Sequence, residues 1–171
     1  MKPFQILLTL IIFLAACLMG FSIARQKPLW MDEIFSESID VKSSNWDIMT
    51  KKNLIEGNKA PVYYFIQKFI ENVFSYRLPD SVSASGLYAD KKAQVICRIN
   101  SIIWMSLAIA FIFYYFMHTV ALWAGLSALL ITLSTYMVWS YWAEDRIYAF
   151  WFFFDECPMH DHSLVNAEHP S

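Results

Sequence analysis

Charge is what this chain has least of. Only 16% of its 171 residues are Asp, Glu, Lys or Arg, and they sum to a formal net charge of −2. Such near-neutrality, with basic residues concentrated in one loop rather than in a stripe, excludes the electrostatic footprint of a nucleic-acid binder. Cysteines are also few. Cys17, Cys97 and Cys157 are odd in number, widely spaced and without a CxxC pair, so neither a disulfide framework nor a zinc motif of known spacing follows. No internal repeat is present. What fills the chain instead is apolar: 57% hydrophobic and 18% aromatic residues, a membrane composition.

Two uncharged runs organise it. Phe4 to Ala24 is 21 residues long and Ile99 to Ala143 is 45, with His118 the only titratable ring in the second. As one helix, the second run would be about 68 Å long, more than twice a hydrocarbon core of about 30 Å, so it must fold back. His118-Thr119 is the most polar break near its middle. The expected architecture is therefore all-α and polytopic, with spans at 4–24, 99–117 and 120–142 and a partial fourth over 143–154. The lipid bilayer is its first partner.

Between the first two spans lies 25–98, a 74-residue polar segment with 11 of the 13 basic and 9 of the 15 acidic residues. Its size makes it a small loop domain. Ser44-Asn45-Trp46-Asp47 reads as an N-cap with an acidic residue at N3, predicting a helix from Asn45 to about Asn53. Pro61 suits the first turn of a second helix, where Val62, Phe65, Ile66, Phe69, Ile70, Val73 and Phe74 recur at helical spacing and Gln67, Lys68, Glu71 and Asn72 take the other face. That amphipathic pattern fits a juxtamembrane helix in the interface plane. Leu78 to Lys92 reads as a connector.

Parity places the polar clusters together. One crossing separates Met1 from the loop domain and two more separate the domain from Trp142, so Asp32-Glu33, the domain and Glu144-Asp145-Arg146 share one side. Charge counting leaves the absolute side open, because the positive-inside rule is calibrated on shorter loops.

Three clusters could carry chemistry on that shared side. Asp32 and Glu33 sit where the first span ends. Helical neighbours point about 100° apart, which suits one base or metal ligand beside one orienting carboxylate and suits a shared-proton dyad poorly. The plainer reading is an acidic first turn stabilised by the helix dipole. Around Lys59, Pro61, Tyr63 and Tyr64, a lysine and helix-start N–H groups would welcome an anion at headgroup depth; a snorkelling lysine and an aromatic belt are the alternative. Glu144-Asp145-Arg146, followed by Tyr148, interrupts an apolar stretch, and Arg146 and Arg98 each offer a planar fork for phosphate or carboxylate. A local ion pair between two spans would look the same.

Two further features admit rival readings. Leu14-Ala15-Ala16-Cys17 matches a bacterial lipoprotein signal, which would anchor the chain through Cys17, but the apolar run continues to spanning length without a polar tether. Near the other end, Ile147 to Phe154 is too short to cross, and 155–171 turns abruptly polar. Asp155, Cys157, His160, His162 and His169 match no known metal-ligand frame. A truncated or frameshifted reading frame explains that tail better than a metal site, and a genuine terminus after a short interfacial helix is the alternative.

The ordered set of Leu29-Trp30-Met31-Asp32-Glu33, Lys59-Ala60-Pro61-Val62-Tyr63-Tyr64, Arg98 and Ala143-Glu144-Asp145-Arg146-Ile147-Tyr148-Ala149 resembles the N-terminal part of the GT-C glycosyltransferases. The nearest likeness is to the protein mannosyltransferase and aminoarabinose transferase group. Ala60 departs from the family's usual proline, and Asn58 from its usual histidine or acidic residue. The resemblance implies an extracytoplasmic loop domain at a bacterial cytoplasmic membrane and a polyprenyl-phosphate-linked sugar as donor, with the acceptor undefined. It further implies Asp32 as catalytic carboxylate or ligand of a divalent metal cation, Glu33 as a second catalytic-site carboxylate orienting the acceptor, and Lys59, Arg146 and Arg98 as binders of the leaving phosphate. Tyr63, Glu144, Asp145 and Tyr148 would line the substrate site. On this reading the chain is an N-terminal fragment, inactive alone. The rival from another class is a non-catalytic membrane subunit whose loop domain binds a partner.

Overall fold

A computed structural model of the chain describes residues 3–50, 61–79, 87–144 and 148–156. Helix α1 (Pro3–Ala24) leads into a two-residue strand β1 (Leu29–Trp30), helix α2 (Met31–Phe35) and, without a break, a π-helix (Ser36–Val41). Then come α3 (Asn45–Thr50), α4 (Pro61–Val73), strand β2 (Leu87–Tyr88), α5 (Lys91–Ile96), α6 (Ile99–Thr119), α7 (Leu122–Ser134), α8 (Tyr136–Trp142) and α9 (Tyr148–Glu156). The only strands among the described residues pair antiparallel, Leu29 with Tyr88 and Trp30 with Leu87.

Helix α1, and α5 with α6 taken as one 29-residue helix, are each long and apolar enough to cross a bilayer. They differ in role. Most of α1 is exposed along Phe4, Leu7, Leu10, Ile11, Leu14 and Leu18, whereas α6 is the central element against which α1, α4, α7, α8 and α9 all pack. Ala16, Met105, Ile109, Val138 and Trp142 form the core between them. An apolar surface as extensive as that of α1 requires an apolar surrounding.

A continuous third span over 120–142 is not what forms. The chain bends by 72° between α7 and α8, giving a third crossing only if the bent pair is counted as one. Helix α7 alone, 13 residues long, extends about 20 Å, short of a hydrocarbon core of about 30 Å. Thr135 is extended at the bend (φ −82°, ψ 120°). The local side chains take up carbonyls there: Ser134 Oγ donates to Leu130 O at 2.7 Å, Thr135 Oγ1 to Ile131 O at 3.1 Å and Trp139 Nε1 to Leu133 O at 2.5 Å. Back-bonding Ser and Thr bend helices in this way.

Helices α6 and α7 approach closely at Gly125. A Cβ there would lie 2.9 Å from Phe113 O, 3.0 Å from Met117 Cβ and 3.2 Å from Met117 N. Backbone atoms cannot swing aside, so a side chain must push the helices apart. Gly125→Val is expected to cost about 1–3 kcal/mol, the usual penalty of overpacking. A thermal melt of the detergent-solubilised variant that coincides with the parent's would contradict this packing.

In the loop domain, Ser44 caps α3: its hydroxyl accepts from Asp47 N at 3.1 Å and donates to the Asp47 carboxylate at 2.6 Å. Helix α4 begins at Pro61, and it buries polar side chains together with Ile70 while part of its apolar stripe stays outside. Gln67 and Glu71, expected on a polar outer face, are buried with Tyr63 and Tyr64, while Val62, Phe69 and Val73 of the apolar stripe are exposed. At a lipid boundary the outside solvates Phe69 and Val73, and the polar groups find partners only inward.

Candidate functional site

The acidic turn at the end of α1 is built by local chain chemistry. After Ala24, Arg25–Pro28 leave the helix and β1 pairs with β2, so α2 starts beside the N-terminal end of α6. Glu33 lies three residues after Trp30, and its carboxylate Oε2 accepts from the Trp30 N–H at 3.1 Å, closing the first turn of α2.

The same carboxylate meets Arg98 in a fork. Arg98 Nε donates to Glu33 Oε1 at 2.7 Å and Nη2 donates to Oε2 at 2.6 Å, with both side chains fully buried. Nη1 also donates to the carbonyls of Ala24 (3.1 Å) and Lys27, and Nη2 to that of Pro28 (2.9 Å). All five guanidinium N–H groups are thereby used within the protein. Arg98 was expected to hold a leaving phosphate and Glu33 an acceptor. In this conformation they instead bind each other and fasten the end of α1 to the start of α6. Asp32, the preceding residue on α2, is half-buried.

A second tie closes the same end of the molecule. Lys27 Nζ donates to Glu144 Oε1 at 2.8 Å, bringing the second residue past α8 against the exit of α1. Ser140 Oγ supports the same oxygen at 3.4 Å. Glu144 thus lies near the acidic turn, engaged with a lysine. Asp145, Arg146 and Lys59 lie outside the described residues, as does the polar tail from Cys157 onward.

The two tyrosines expected at a substrate site are separated. Tyr63 is in the core: its hydroxyl shares a 2.8 Å hydrogen bond with Ser101 Oγ, and its ring meets Tyr64 and Phe150 edge-on. Tyr148, on α9, is exposed and tilts over Tyr141 at a ring-centroid distance of 4.7 Å. Cys17 lies mid-way along an unbroken α1 and is partly covered.

A second polar cluster escaped sequence reasoning altogether. The π-helix presents Ser36, Glu37 and Asp40 inward, α4 contributes Gln67 and Glu71, and α5 contributes Gln94 and, at its C-cap, Cys97; all are buried. Gln67 Nε2 donates to Glu37 Oε1 at 2.7 Å. Beside the cluster, burial above all, and then Cys97, Tyr88, Asp90 and Glu37, push the Tyr76 hydroxyl up from its ordinary pKa. A cavity of about 470 Å³ lined by Lys42, Lys68, Glu71, Asn72 and Arg77 opens alongside, so Glu71 belongs to both cavity and cluster. One signal was available in the sequence: Gln67 and Glu71 share the i, i+4 face with Tyr63 and Tyr64, and a six-residue run holding Ser36, Glu37 and Asp40 follows the acidic turn directly.

Whether the acidic turn fits a divalent cation can be tested on its donors. Among the described residues, the only group of three Cys, His, Asp or Glu side chains whose ligand atoms converge is Glu37, Glu71 and Cys97. Asp32 belongs to no such group.

Compared with known protein families, with curated proteins and with solved structures, the chain has no match.

Proposed function

We propose that this chain carries the catalytic carboxylate of a membrane glycosyltransferase of GT-C type, which moves a sugar from a polyprenyl-phosphate donor to a hydroxyl-bearing acceptor at the membrane surface. The observation that carries the reading is the separation of the two acidic neighbours. Glu33 is consumed in a buried fork with Arg98, while Asp32 stands on a turn held rigid by that fork, at the end of an apolar helix. A carboxylate so positioned is suited to general-base work at headgroup depth.

In this mechanism Asp32 takes the proton from the acceptor hydroxyl as its oxygen attacks the anomeric carbon. The bond from that carbon to the phosphate oxygen breaks, and the polyprenyl phosphate leaves with the electron pair. Cations stabilise the departing charge more in the transition state than before it. Lys59 and Arg146 are assigned that task on the strength of their motifs, and Arg98 is reassigned to holding the turn.

The test is made where the protein works. In cells whose only copy carries Asp32→Asn, one polyprenyl-phosphate-linked sugar is expected to accumulate, read by mass spectrometry of extracted lipids. Unchanged pools of all such donors would overturn the assignment.

A further inference from the structure

We propose that Glu37, Glu71 and Cys97, completed by the side-chain carbonyl of Gln67, form a binding site for a zinc-class divalent cation that clips the π-helix, α4 and the end of α5 together. It is separate from the acidic turn and does not depend on the glycosyltransferase reading.

The geometry comes first. One ligand atom from each of Glu37, Glu71 and Cys97 lies within 4.8 Å of the other two, and all three residues are buried. Three points no farther apart than 4.8 Å share a centre within 4.8/√3, or about 2.8 Å, of each. Zinc binds thiolate at about 2.3 Å and carboxylate oxygen at about 2.0–2.2 Å, so side-chain adjustments of about 0.5–0.8 Å close the site.

Independent support comes from Gln67. It is fully buried, its amide nitrogen is spent on Glu37 Oε1 at 2.7 Å and, more weakly, on Ile96 O at 3.4 Å, and its carbonyl Oε1 accepts no hydrogen bond among the described residues. A buried amide oxygen without a donor loses its hydration for nothing in return. Held beside Glu37 by its own nitrogen, it is placed to serve as a fourth ligand.

The chemistry of the ligand set points the same way. A thiolate among the ligands selects zinc-like ions over magnesium or calcium. The cavity on which Glu71 opens supplies the entry path such a site needs.

The experiment uses the full chain purified in detergent, titrated with zinc against a chromophoric chelator and separately loaded with cobalt(II). The parent is expected to bind one ion per chain and to show a sulfur-to-cobalt charge-transfer band in the near ultraviolet. Glu71→Gln and Cys97→Ser should each weaken zinc by about 100-fold or more, since loss of an outer-shell partner alone costs 10–100-fold. Cys97→Ser should also abolish the band. If Cys97→Ser does not fold, Gln67→Glu serves instead: an anionic fourth ligand should tighten zinc and keep the band. No bound ion in the parent, affinity unchanged in Glu71→Gln, or a band that is lost in Cys157→Ser but kept in Cys97→Ser would each overturn the site. The last result would move the metal to the polar tail.

Discussion

Replacing Arg98 with methionine is expected to destabilise the protein by about 3–5 kcal/mol, the usual consequence of removing one partner from a buried ion pair. The size follows from what stays behind. Glu33 remains fully buried with no guanidinium against either carboxylate oxygen, and the carbonyls of Ala24, Lys27 and Pro28 lose their donor together. Arg98→Lys restores a charge but offers three rotating donors where five in a rigid plane are used, so only part of the loss returns. The double variant Glu33→Met, Arg98→Met removes both charges and should recover stability relative to Arg98→Met, because an apolar pair of similar volume carries no stranded charge. Denaturant titration in mixed micelles checks all three. If Arg98→Met unfolds at the parent's midpoint, the buried fork does not exist as described.

For Asp32→Asn the expected result is a fall in sugar transfer of about 10²–10⁴-fold, the range over which a positioned general base contributes. Unlike Arg98→Met, it should leave the guanidinium fork in place, because Glu33 accepts both of its carboxylate-directed bonds and the isosteric amide keeps the size of the Asp32 side chain. Glu33→Gln makes the informative comparison. Its amide cannot accept both arms of the guanidinium fork, so it should lower stability and activity together, through displacement of the turn. Transfer that survives Asp32→Asn and fails only in Glu33→Gln would reverse the roles given to the two carboxylates.

The helical class and the position of the apolar runs were legible because uncharged stretches of spanning length have few other uses, and α1 and α6 lie within them. The bend at Thr135 was not. Ser134 and Thr135 sit in an apolar run with no glycine, proline or charge beside them, and their effect depends on which carbonyls their hydroxyls reach. Helix α4 was legible as amphipathic from Pro61 onward, yet the direction of its faces depends on the surrounding medium, which periodicity does not encode. At the candidate site, Asp32 and Glu33 were conspicuous by position. That Glu33 and Arg98 bind each other was invisible, because nothing local links residues 65 apart in the chain. Glu37 and Glu71 were hidden for the same reason, their proximity being a product of the π-helix and of the inward turn of Glu71 on α4.

That separation also sets a schedule for biogenesis. Glu33 leaves the ribosome 65 residues ahead of the arginine that will bury it. At about 5–20 residues per second, synthesis takes about 3–13 seconds to bridge that interval. During that time the turn after α1 is an open, hydrated end. Docking of α6 is therefore the event that shuts it, by bringing the guanidinium of Arg98 against both oxygens of Glu33.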